Sequence, residues 1–154
     1  MRRIVLDTNS LLMSLPKGSP YRIVWDEFLE GKFILCLSNE ILEEYLEILS
    51  QKTTPSIAGN VISTILNKHN VEQISPYYKF GLIQSDVDDN KFVDCAIAAG
   101  AEFLVSNDSH FKVLEQIPFP KVNVLRLASF ASMLMGYNWS EDVNLLNEPP
   151  VEYV

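Results

Sequence analysis

The sequence predicts a three-layer α/β domain built on a mostly parallel central sheet of about five strands. Short apolar runs without alternation recur at residues 4–6, 33–37 and 103–105, the pattern of strands covered on both faces. Stretches with apolar positions at helical spacing lie between them, so strands and helices alternate. No internal repeat, low-complexity tract or linker interrupts the 154 residues, a length that fits one domain with a sizeable core.

In chain order, Arg3 leads into the apolar run Ile4, Val5 and Leu6, a strand that ends abruptly in Asp7, Thr8 and Asn9. Residues 11–20, with Pro16, Gly18 and Pro20, read as a loop. Residues 21–30 read as a helix with Ile23, Val24, Phe28 and Leu29 on its apolar side and Gly31 as its stop. A second buried strand covers 33–37, and Ser38 or Asn39 caps the helix from about 40 towards 51. A helix is expected over 57–68, a weaker strand over 71–74 and a loop over 75–88. Then come a helix over 90–101, a strand over 103–106, a short helix over 109–115 and a last strand over 122–127. A short helix near 128–135 precedes a weakly patterned tail, residues 136–154, carrying Trp139, Pro149 and Pro150.

Charge and composition narrow the function classes. The net charge of −8 argues against a protein that grips nucleic acid by a broad basic surface. It leaves open one that reaches nucleic acid through metal ions, because clustered carboxylates contribute to such a count. No apolar run approaches the roughly 20 residues of a membrane span, and Met1-Arg2-Arg3 enters the first strand without a signal-like apolar region. A cytoplasmic protein is the expectation. Cys36 and Cys95 lie in apolar surroundings and read as buried thiols rather than a disulfide.

Helical geometry sorts the acids. On the helix near 40–51, the apolar residues Ile41, Leu42, Tyr45, Leu46, Ile48 and Leu49 form an arc centred near Tyr45. Glu44 lies at the edge of that arc and is the acid turned inward; Glu40, Glu43 and Glu47 read as a solvated face. In the segment from Ser85 to Asp94, Asp89 shares a face with Phe92, Val93 and Ala96, whereas Asp94 points away and reads as surface. Asp86 and Asp88 read as caps or loop carboxylates. The strand over 103–106 repeats the opening logic: it ends in a hydroxyl, Ser106, with Asp108 two positions later. Asp108 also has the position of a helix cap.

Four short motifs therefore stand in order: Asp7-Thr8-Asn9, Leu42-Glu43-Glu44-Tyr45, Asp88-Asp89-Asn90-Lys91-Phe92 and Val105-Ser106-Asn107-Asp108. Together they resemble a PIN domain over roughly residues 3–130, and in particular the PIN-family toxins of toxin–antitoxin pairs. The resemblance implies acidic residues that bind Mg²⁺ or Mn²⁺ and hydrolyse phosphodiester bonds, usually in single-stranded RNA. Carried over by position, these acids are Asp7, Glu44, Asp89 and Asp108, with Asp86, Asp88 and Asp94 competing for the place of Asp89. Ser106 stands where the family has Thr and keeps the hydroxyl, and Asn9 matches the amide that holds the first Asp. An antitoxin protein and a homodimer are the partners the resemblance implies.

The residue types suit that chemistry on their own terms. Hard divalent ions prefer carboxylate oxygens and water, and an empty acid cluster repels itself. Asp7 and Asp108 are expected as direct ligands, Glu44 and Asp89 as direct or water-mediated ones, and Thr8, Asn9 and Ser106 as groups orienting them. His69 reads as a surface residue at a helix end and His110 as a loop histidine. Arg3, Lys17, Arg22, Lys91 and Lys112 are the cations placed to flank the site, with Lys91 also placed to pair with a neighbouring acid. Tyr45 and Trp25 read as packing residues, and Trp139 as a packing anchor or interface residue. A haloacid-dehalogenase-type phosphatase needs a second Asp where Asn9 stands. A receiver domain needs an acidic pair and a later Lys that have no counterpart here. The remaining rival is a non-catalytic PIN-like module that binds RNA or protein, whose signature is loss of one of the four acids.

Overall fold

The sheet grows outward from its first strand. The structure, a computed structural model, describes residues 1–136; most of the weakly patterned tail, including Trp139, lies outside the described residues. Strand β1 (Arg3–Leu6) pairs in parallel with β2 (Ile34–Leu37) on one side and β4 (Phe103–Val105) on the other. β3 (Val71–Gln73) extends the sheet beyond β2, and β5 (Val124–Leu125) extends it beyond β4, giving the all-parallel order β3-β2-β1-β4-β5. Ile4, Val5, Leu35, Cys36, Leu37 and Leu104 are fully buried, as expected for strands covered on both faces. The three-layer α/β/α architecture is therefore the one expected.

The helices are α1 (Thr8–Ser14), α2 (Arg22–Leu29), α3 (Asn39–Lys52), α4 (Pro55–Asn67), α5 (Asn90–Ala99) and α6 (Leu127–Leu134). Two 3-10 segments, Val87–Asp89 and Ser109–Gln116, complete the elements. α5 lies against β1, β2 and β4, α2 packs on α1 and α6, and α3 packs on α4, α1 and α5. Ser38 caps α3 by accepting the Ile41 N–H at 3.3 Å. Gly100, at φ 61°, closes α5 in the left-handed conformation that glycine adopts without strain. Phe33 joins the helices above the sheet, 6.1 Å from Phe28 and 5.4 Å from Phe130, and each such ring contributes about 1.5–3 kcal/mol by burial. Cys36 and Cys95 are buried and unbonded. Among the described residues, no helix is long and apolar enough to cross a membrane.

Three local expectations need correction. The loop expected over 11–20 begins only after Ser14, because the Asp7 carboxylate accepts the Ser10 N–H at 2.8 Å and starts α1 directly off the strand. Leu11 and Ser14 are buried on the inner side of that helix, and the Pro and Gly signals belong to the turn that follows. The last strand is two residues long rather than the expected 122–127. Its ladder has only Leu104↔Val124 and Val105↔Leu125 to pair with. Asp94 is buried, not surface: the 75–88 segment folds across α5, and Asp94 accepts the Phe80 N–H at 3.2 Å. Asn90 holds the same segment by accepting the Ile83 N–H at 2.9 Å and donating to the Ile83 carbonyl at 2.8 Å.

Candidate metal centre

The strand order reverses direction between β1 and β4: the chain builds β2 and β3 on one side of β1, then β4 and β5 on the other. In open parallel sheets such a switch point leaves a crevice beyond the carboxyl ends of the strands, where ligands bind. The register Leu6↔Val105 puts Asp7 and Ser106 side by side at that edge, and the Asp7 N–H donates to the Val105 carbonyl at 3.1 Å. Ser106 bridges the crevice. Its hydroxyl donates to Asp7 Oδ2 and accepts the Asp108 N–H at 2.9 Å.

Asp7 is 7% exposed and held at both oxygens, by the Ser10 N–H at Oδ1 and by Ser106 at Oδ2. Burial raises its pKa, the bonds from Ser10 and Ser106 pull it back, and the charge of Asp108 adds to the rise. Asn9, expected to hold Asp7, is exposed; Ser10 has that role, because the chain turns into α1 at once and presents a backbone N–H instead. Asp108 caps the following 3-10 segment, accepting the His110 N–H at 2.9 Å, as its position in the sequence suggests.

The turn after Asp108 brings His110 back onto the acids. Its Nδ1 lies 3.1 Å from Asp89, 3.3 Å from Asp108 and 3.8 Å from Asp86. The bond to Asp89 raises the His110 pKa, with Asp108 and Asp86 adding to it. Asp89 itself is pushed up to about 6, first by burial and then by the charges of Asp86 and Asp108, against the opposing pull of His110. The plain loop histidine expected at 110 is therefore part of the cluster. Asp86, Asp89 and His110 each present a ligand atom within 4.8 Å of the others. This donor set, two carboxylates and an imidazole beside Asp108, is of a kind that suits a divalent metal ion.

Glu44 is inward-facing as the helical wheel requires, but it is drawn into a separate group. Thr8 Oγ1 donates to Glu44 Oε2, and Lys91 Nζ lies 2.8 Å from Glu44 Oε1 and 3.6 Å from Asp88. Burial pulls the Lys91 pKa down, and the bond and charge of Glu44 more than offset it. Tyr45 packs fully buried beside it and donates to the Leu6 carbonyl at 2.6 Å, tying α3 to the end of β1. Glu40, Glu43 and Glu47 are exposed. Of the cations placed near the site, Arg3 pairs with Glu72, Arg22 with Asp26 and Lys91 with Glu44. Sequence reasoning missed Ser10 and the inward turn of His110. The spacing Asp108-Ser109-His110, a cap followed at once by a histidine, was the available signal for the latter.

Comparisons with known proteins come to the same fold. A family model described as PIN domain matches residues 3–110. No curated protein sequence matches the chain significantly. Among solved structures, the chain is similar to VapBC2 from Rickettsia felis, solved bound to a DNA fragment from their promoter. That match has a TM-score of 0.58 and 18% identity, covering 80% of this chain and 98% of that one. It is also similar to DNA-bound VapBC from Salmonella typhimurium, with a TM-score of 0.54 and 16% identity over 82% and 99% of the two chains.

Proposed function

The chain belongs to the PIN domain family, and on that premise we propose that it is a divalent-metal-dependent ribonuclease acting on single-stranded RNA. We further read it as the toxin of a toxin–antitoxin pair. The observation that carries the nuclease reading is the convergence of Asp7, Asp108, Asp89 and Asp86 with His110 at the switch point of the sheet. Asp86, Asp89 and His110 would hold the ion, their ligand atoms lying within 4.8 Å of one another, with Asp108, Asp7 and Glu44 around them. A bound Mg²⁺ or Mn²⁺ supplies positive charge against phosphate oxygens and lowers the pKa of a coordinated water.

The chain's own groups keep the carboxylates aimed. Ser10 and Ser106 fix the Asp7 carboxylate at both oxygens, and Thr8 with Lys91 fixes Glu44. Loss of such an orienting partner typically costs about 10- to 100-fold in metal affinity. The test is cleavage of a single-stranded RNA by the purified chain with Mg²⁺, with Mn²⁺ and with chelator, for the parent and for Asp7→Asn. Cleavage that needs the ion and is lost in Asp7→Asn is expected. Cleavage that persists in chelator or in Asp7→Asn refutes the mechanism, and RNA binding without cleavage under any ion points to a non-catalytic module. A neighbouring gene product that co-purifies with the chain and blocks cleavage would supply the antitoxin.

A further inference from the structure

Six of the 12 Lys and Arg residues of this acidic chain are committed to partners elsewhere. Arg2, Arg3, Arg22, Lys32 and Lys91 sit in ion pairs with Asp or Glu, and Lys68 donates to the Leu29 carbonyl at 2.8 Å. Lys112 and Arg126 make no ion pair among the described residues, yet they line one cavity of about 270 Å³ together with Ser106, Asn107, Asp108 and Glu115. Lys112 comes from the 3-10 segment after β4, and Arg126 from the junction of β5 and α6. Two elements on the β4-β5 side of the crevice thus converge two free cations beside the Asp108 carboxylate.

A second cavity, of about 330 Å³, opens on the other side and contrasts with it. That one is lined by Lys79 and Lys91 but also by Glu40, Asp88 and Asp94, so its carboxylates outnumber its cations, and Lys91 already holds Glu44. In the first cavity cations and carboxylates are equal in number, and Asp108 is one of the acids an ion would neutralise. Of the two cavities, the one on the Lys112 side is the less acidic and is the one that Asp108 lines.

We infer that the cavity between Lys112 and Arg126 is a phosphate subsite, holding a backbone phosphate of the single-stranded substrate adjacent to the bond at the acid cluster. This inference rests on the nuclease reading above. The unpaired guanidinium and ammonium contact non-bridging oxygens, and the Ser106–Asp108 turn sets the distance from that phosphate to the site. Because the contact is to backbone, it positions the strand without reading its sequence.

The test is binding of a fluorescent single-stranded RNA to the full chain carrying Asp7→Asn, which prevents cleavage, in Mg²⁺ across a salt titration. Single-strand binding loses about 0.7 in the slope of log K against log salt per phosphate contact. Lys112→Ala combined with Arg126→Ala should make the slope shallower by about 0.7 and weaken binding at 50 mM salt about 8-fold. Lys52→Ala, which removes an exposed cation at the far end of α3, should change neither. In the cleaving chain the same double substitution should raise KM with kcat little altered, as expected for loss of uniform binding. A single-stranded DNA of the same sequence should lose affinity equally. A loss confined to RNA assigns the contact to the 2′-hydroxyl and overturns the phosphate subsite. A double variant that binds and cleaves like the parent overturns the subsite and leaves the nuclease reading standing. A parent chain that binds no single-stranded RNA removes both.

Discussion

Asp89→Asn should make the metal-free protein more stable while abolishing its response to divalent ions. The Asp89 carboxyl is pushed from 3.8 up to about 6 by burial and by Asp86 and Asp108. That is about two pKa units, and at about 1.4 kcal/mol per unit the charged form costs the fold at most about 3 kcal/mol at neutral pH. The sign follows from the raised folded-state value: below about pH 4 the carboxyl is protonated in both states and the cost is absent. It grows as the pH rises towards 6 and is constant above. Asparagine is neutral throughout, so its advantage should appear between pH 4 and 6 and reach a plateau. Loss of the 3.1 Å contact to His110 takes back part of it. For a chain of this length the ceiling corresponds to about 6–12 °C in Tm. Thermal denaturation in chelator from pH 4 to 8, repeated with saturating Mn²⁺, measures it. The ion should stabilise the parent by about 2.7 kcal/mol at a hundredfold excess over Kd and the variant by much less, so the gap between the two proteins should close. A variant less stable than the parent in chelator at pH 8, or an ion response equal in both proteins, would refute the reasoning.

Other substitutions separate the parts of the site. Ser106→Ala removes the hydroxyl that joins Asp7 to the Asp108 N–H, and ion affinity measured by calorimetry should fall roughly 10- to 100-fold. Lys91→Met leaves Glu44 without its partner at 2.8 Å; a double-mutant cycle with Glu44→Gln in urea denaturation should return a coupling of about 1–2 kcal/mol, and additivity would show the pair to be inert. Tyr45→Phe removes the buried bond to the Leu6 carbonyl, and Tm should drop by about 2–4 °C, the equivalent of about 1 kcal/mol, with RNA cleavage retained.

How much of this was legible in the sequence depends on whether a residue's partners are near it along the chain. The buried strands were readable because unbroken apolar runs such as Ile4-Val5-Leu6 have one common use. The inward turn of Glu44 was readable because its helix has a clear apolar arc, and the structure places it 21% exposed against Lys91. Asp94 was misread for a long-range reason. The wheel gave it the outer face of α5, but a helix has an outer face only where nothing crosses it, and the segment that crosses carries no strong periodicity. His110 was misjudged similarly, since its neighbours Asp86 and Asp89 lie on an element about 20 residues upstream. α1 was missed because Pro16, Gly18 and Pro20 dominate the local composition, although Asp7 three residues before Ser10 was itself the capping signal.

The two groups at the crevice have different electrostatic problems. Glu44 has its counter-charge built in, because Lys91 from α5 reaches it and Thr8 donates to its other oxygen. Asp7, Asp86, Asp89 and Asp108 have only His110 among them, and the values at Asp7 and Asp89 are raised first by burial and then by the neighbouring carboxylates. A fold keeps such strain when something absent from the unfolded chain relieves it. On the proposed reading the relief is a cation that enters from the open side of the crevice and is compact enough to meet several oxygens at once. A divalent ion satisfies all three conditions, whereas a further lysine would have to be threaded through the core that Leu6, Tyr45 and Val105 already fill. The same reasoning sets Glu44, with a cation of its own, apart from the four Asp carboxylates that share one histidine.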